Sequence, residues 1–72
     1  MDVQLDCKHL KCPMPIVEMA KAVKGMKGGE MLRVESTDPA FEMDVKAWAE
    51  MTGHELVSFE PGEVKVARIR VA

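Results

Sequence analysis

The chain predicts a two-layer α/β sandwich of the α+β kind, element order βαβαββ, with both helices on one face of a mixed four-stranded sheet. Three observations predict it. Short stretches alternate apolar with polar residues, as half-buried strands do. Two intervening segments place apolar residues at helical spacing. Strands with one polar face leave only the other face for helices to cover.

Val3 and Leu5 alternate with Gln4 and Asp6 and form the first strand. From Pro13 to about Lys24, Ile16, Met19, Ala20 and Val23 share one helical face, with Gly25 at C′. Lys27-Gly28-Gly29 is a turn, after which Met31–Glu35 alternates again with Leu32 and Val34 on the buried side. Asp38 caps a second helix and Pro39 opens it. Its core stripe is Phe41, Val45, Trp48 and Thr52, with Ala49 beside it, and Gly53 ends it. His54–Glu60 and Val64–Val71 are strands joined through Pro61-Gly62 as a hairpin. Strands one and two should be parallel through a right-handed crossover. The last strand has two phases, Val64 and Val66 on one parity and Ala67, Ile69 and Val71 on the other. A bulge near Val66-Ala67 and partial burial of both faces account for that equally well.

Seventy-two residues make one domain, 1–72, near the lower limit for a self-sufficient core. At 47% hydrophobic and 31% charged the chain has a globular balance rather than a disordered one. A net charge of −2 argues against direct nucleic-acid binding, which needs a basic face. No apolar run is long enough for membrane insertion, and the N-terminus lacks a signal-peptide pattern. The expected compartment is the cytoplasm, where thiols stay reduced and a disulfide between the two cysteines would be transient rather than structural.

Cys12-Pro13-Met14-Pro15 is the stretch that carries chemistry. Proline suits a first helical turn, so Cys12 reads as the N-cap with Pro13 at the first helical position. A thiolate there faces the positive end of the helix dipole, and Lys8 and Lys11 add charge upstream, so its pKa should fall below that of a free thiol. Pro13 and Pro15 have no amide hydrogen, which leaves Met14 to offer an N–H to sulfur. The opposing reading is an inert Cys, buried as a small hydrophobe, since Cys is a poor N-cap. Local physics leaves both open.

The run Leu5-Asp6-Cys7-Lys8-His9-Leu10-Lys11-Cys12-Pro13-Met14-Pro15 resembles the opening signature of the TusA/SirA-like sulfur-carrier family. The likeness continues through Lys27-Gly28-Gly29-Glu30, Thr37-Asp38-Pro39-Ala40 and Gly53-His54-Glu55-Leu56. It implies a single sulfur-carrier domain whose Cys12 accepts sulfane sulfur as a persulfide and passes it on. The implied partners are a sulfur-donor protein, cysteine desulfurase or rhodanese-like, and a sulfur-acceptor protein, with no cofactor and no metal. His9 stands where the family commonly has Gly, which raises the question of a left-handed backbone there. Cys7 is a possible second thiol. It could resolve the persulfide, but the reading preferred is a small residue closing the strand end.

Cys7, His9, Cys12 and His54 contain the atoms for a zinc site, without a strong zinc spacing. The alternative function is therefore a small metal-binding or regulatory module using the cysteines and histidines. Asp6 and Asp38 read as caps or loop residues rather than catalysts. Met19 and Met26 read as core filler, whereas Met14 suits either partner docking or plain exposure.

Overall fold

Alternation is what makes the second strand a core strand. Leu32, Val34 and Ser36 are completely buried while Met31, Arg33 and Glu35 between them are only partly covered. In the computed structural model, which describes residues 2–72, the elements are β1 (Val3–Asp6), α1 (Met14–Lys24), β2 (Met31–Ser36), α2 (Phe41–Thr52), β3 (Glu55–Glu60) and β4 (Lys65–Arg70). They form the expected mixed sheet, in strand order β1-β2-β4-β3. β1 runs parallel to β2 with Leu5 opposite Val34, and β4 is antiparallel to both of its neighbours. One core joins sheet and helices: Met19 from α1, Leu32 and Val34 from β2, Phe41, Val45 and Trp48 from α2, Ala67 and Ile69 from β4. Each large aliphatic side chain fully buried there is worth about 1.5–3 kcal/mol of transfer free energy.

Helix boundaries depart from the sequence reading in instructive ways. α1 begins at Met14, with Pro13 rather than Cys12 at the N-cap and no side-chain cap. Pro15 therefore sits inside the first turn, where its missing N–H costs nothing. Gly25 ends α1 with φ −97°, not in a left-handed conformation, and its N–H bonds to Ala22 O. At α2, Asp38 and Pro39 form a turn ahead of the helix instead of opening it. Asp38 Oδ1 accepts from Ala40 N–H at 3.3 Å, its carbonyl accepts from Phe41 N–H, and Ala40 takes the N-cap. The buried stripe of α2 is Phe41, Val45, Trp48 and Ala49; Thr52 is exposed, its hydroxyl donating to Trp48 O at 2.7 Å. Gly53 closes α2 at φ +81°, a conformation that favours glycine.

The phase conflict in β4 resolves as burial on both faces: Val66, Ala67, Ile69 and Val71 are all buried. The register irregularity lies in β3 between Leu56 and Ser58, opposite a continuous β4. Val66 lies on the face away from the helices, the parity of Arg68 and Arg70. That face carries the ion pairs Arg68–Glu60, Arg70–Glu55 and Arg33–Glu35, so long charged side chains spread over it.

Candidate functional site

Because β1 and β2 are parallel neighbours, the loops that leave their C-terminal ends lie side by side. The first, residues 7–13, leads into α1; the second, residues 37–40, leads into α2. Cys7 N–H bonds to Glu35 O at 2.8 Å, extending the pairing of β1 with β2, and Thr37 Oγ1 donates to Lys8 O at 2.7 Å. His9 causes no strain in this loop, since no described non-glycine residue has positive φ. The question raised by His9 in place of glycine is thereby answered for this chain.

Cys12 emerges at the end of the first loop, exposed, with Pro13 and Met14 exposed beside it and Pro15 buried beneath. The Cys12–Pro13 peptide is cis. Met14 N–H bonds to Lys11 O at 2.8 Å and so is not offered to sulfur. The partner of the thiol comes from the other helix: Cys12 Sγ donates to Asp44 Oδ2 at 2.8 Å. Asp44 lies in the first turn of α2, where the helix dipole favours a carboxylate. Asp38, from the second loop, completes a triangle in which one donor atom each from Cys12, Asp38 and Asp44 lies within 4.8 Å of the others.

These carboxylates overturn the expected acidity of Cys12. The hydrogen bond to Asp44 pushes the thiol pKa up, helped by desolvation and by the charges of Asp44 and Asp38. The lysines expected to oppose this border the same depression as Cys12, but neither is among the charges that act on its thiol. Lys8 Nζ is engaged with Asp6 at 3.7 Å and Glu35 at 3.5 Å, and Lys11 makes no ion pair among the described residues. Sequence spacing pointed to the amide and lysine neighbours of Cys12; the fold supplies a carboxylate from 32 residues away.

Cys7 has the opposite setting. It is 1% exposed, belongs to the core, and burial is the main cause that raises its pKa, with Glu18 and Asp6 adding to it. The zinc set Cys7, His9, Cys12 and His54 is not assembled. Among the described residues, the group of three side chains close enough to share a cation is Cys12, Asp38 and Asp44. His54 is otherwise occupied, Nδ1 accepting from Ala72 N–H at 3.0 Å and the ring centred 5.3 Å from Trp48.

Cys12 stands on the ridge between two depressions. One lies toward Lys8, Leu10 and Pro39; the other is an apolar groove between the helices, lined by Pro13, Ile16, Ala47, Trp48 and Met51 with Asp44 at its edge. Fold and site together define a small α/β protein that presents one accessible thiol on a helix-entry loop, without a deep pocket around it. The profile of the family described as sulfurtransferase TusA matches residues 3–71, and the chain belongs to that family. It is 46% identical over 63 residues to the putative sulfur carrier protein YrkF of Bacillus subtilis, covering 86% of this chain and 34% of that protein. It is 41% identical over 56 residues to the sulfur carrier protein TusA of Allochromatium vinosum, covering 78% of this chain and 74% of the relative. A sulfur carrier protein TusA from Pseudomonas syringae is 33% identical over 63 residues, 88% of this chain and 75% of the relative. The chain thus spans about a third of YrkF and about three quarters of the other two. No helix among the described residues is long and apolar enough to cross a membrane.

Proposed function

We propose that this protein is a sulfur carrier whose Cys12 accepts sulfane sulfur as a persulfide and delivers it to an acceptor protein, acting as a sulfurtransferase within a relay. The observation that carries this reading is the contrast between an exposed Cys12 thiol and a buried Cys7. Family membership and the sulfur-carrier names of its relatives support it. In the loading step the Cys12 sulfur attacks the outer sulfur of a donor persulfide. A new S–S bond forms on Cys12, the donor's S–S bond breaks, and the donor departs as a thiolate that takes up a proton. In the delivery step an acceptor thiolate attacks the outer sulfur on Cys12, and Cys12 becomes the leaving thiolate. Atoms and electrons balance without an external oxidant.

The donor in this scheme is a cysteine desulfurase or a rhodanese-like protein, the acceptor carries its own cysteine, and the exchange takes place in the cytoplasm. An exposed thiol with shallow surroundings suits substrates that are themselves protein cysteines. The test is to incubate the protein with a cysteine desulfurase and cysteine and to map added sulfur by mass spectrometry. A mass gain of one sulfur on Cys12, absent from Cys12→Ser, is the expected result. Labile sulfur gained equally by Cys12→Ser would reject the assignment.

A further inference from the structure

The carboxylates of Asp38 and Asp44 are an odd choice of neighbour for a nucleophilic sulfur, because they oppose the thiolate that exchange requires. Neither has a cation within ion-pair distance among the described residues. One oxygen of Asp38 is buried without any hydrogen-bond partner. Alongside lies the apolar groove, lined by Met51, 86% exposed, and by the more covered Ile16 and Trp48. Asp44 bonds the thiol and edges the apolar groove, and Asp38 lies within 4.8 Å on the side of the other depression. Negative charge without a cation next to an uncovered apolar strip, at one thiol, is half of an interface.

We propose that the Asp38–Asp44 pair and the Ile16–Trp48–Met51 groove form a docking surface for the sulfur donor, and that it fits a donor segment carrying a basic side chain and an aliphatic one beside its persulfide. The inference deepens the carrier reading and rests on it. The basic group approaches Asp44 at the edge of the groove, within the field of Asp38 behind it, and the aliphatic group enters the groove. Arrival of that positive charge offsets the carboxylates and lets the Cys12 proton leave to solvent as Sγ attacks. Away from the donor, the same carboxylates keep the sulfur as a thiol and shield it from stray electrophiles. Charge complementarity selects the occupant: an acidic segment would meet two like charges at the point of reaction.

Three short peptides test this, each bearing one cysteine as a mixed disulfide with thionitrobenzoate. The first carries Arg and Leu beside the cysteine, the second Glu and Leu, the third Arg and Ser. Attack of Cys12 on the peptide sulfur forms a protein–peptide disulfide and releases coloured thionitrobenzoate, with Cys12→Ser as the blank. The Arg/Leu peptide should react about three- to tenfold faster than the Glu/Leu peptide at low salt, the range expected for a few partly exposed charge contacts. Loss of the Leu should slow it, and Met51→Ser should remove that difference. The Arg preference should collapse to within about twofold in the Asp38→Asn, Asp44→Asn double variant and should shrink at high salt in the wild type. Glu50→Gln, the loss of one charge elsewhere on α2, should keep it. Equal rates for the Arg and Glu peptides on the wild type overturn the proposal without any variant having to fold. So does a preference that survives the double variant. Loading from inorganic polysulfide separates the two readings: normal loading without peptide preference rejects the docking surface alone, and absent loading rejects the carrier reading.

Discussion

Two cysteines five positions apart meet opposite fates in this fold. Cys7 continues β1 by one ladder bond and turns its sulfur into the core; Cys12, past a short loop, is delivered to the surface. Both thiols are less acidic than a free cysteine, for different reasons. For Cys7 the main cause is burial, which only opening of the structure relieves. For Cys12 it is the Asp44 carboxylate, which a partner's charge or a single substitution can offset. A raised pKa is thus permanent at one site and reversible at the other, and the role proposed for Cys12 requires reversibility.

The contrast is most exposed to failure in accessibility. Neutral iodoacetamide should label Cys12 in the native protein at least about a thousandfold faster than Cys7, whose labelling waits on local unfolding. Comparable rates, followed by peptide mapping, would erase the distinction. Next in size is stability. Cys7→Ser places a hydroxyl in the core and should cost about 1–3 kcal/mol in denaturant unfolding while leaving sulfur loading on Cys12 near wild type. Lost loading in a folded Cys7→Ser protein would show that both sulfurs take part. Burial also makes the folded state hold the Cys7 proton more tightly than the unfolded chain does. That contribution is complete below the unfolded thiol's value of about 8.5 and is lost as pH rises toward the higher folded value. The alkaline fall in Tm should therefore be shallower in Cys7→Ala. The smallest effect is expected at Asp44. Removing its charge in Asp44→Asn should lower the Cys12 pKa, move the alkylation midpoint to lower pH and raise the rate at pH 8 about three- to tenfold. A slower reaction would make Asp44 a proton acceptor rather than a restraint.

Most of the frame was legible in the chain because its signals are local. Alternation located β1 and β2, helical spacing located both helices, and Gly53 marked the end of α2 where only a left-handed residue would do. Helix starts were read one and two residues early, since proline marks a first turn without saying which position in it. Pro13 became a cap, and Asp38-Pro39 a separate turn. β4 could not be phased from its own residues because it lies between β2 and β3, and charged neighbours on those strands help cover its second face. Asp44 was invisible for a stronger reason. As one acidic residue on the polar flank of an amphipathic helix it looks like any solvated charge, and only the packing of α2 beside α1 brings it to Cys12. The basic residues close in sequence drew attention because spacing along the chain is all a sequence reports.

The hydroxyl of Thr37 that bridges to Lys8 O joins the cysteine loop to the carboxylate loop with one 2.7 Å bond. The Cys12 and Asp38 loops are thereby joined before any encounter, and the bond from Cys12 Sγ to Asp44 Oδ2 adds the carboxylate of α2. Association then loses less conformational entropy in these two loops than it would if they had to be ordered on contact. In the proposed relay, a carrier that passes from donor to acceptor gains from such an arrangement: recognition through geometry set in advance.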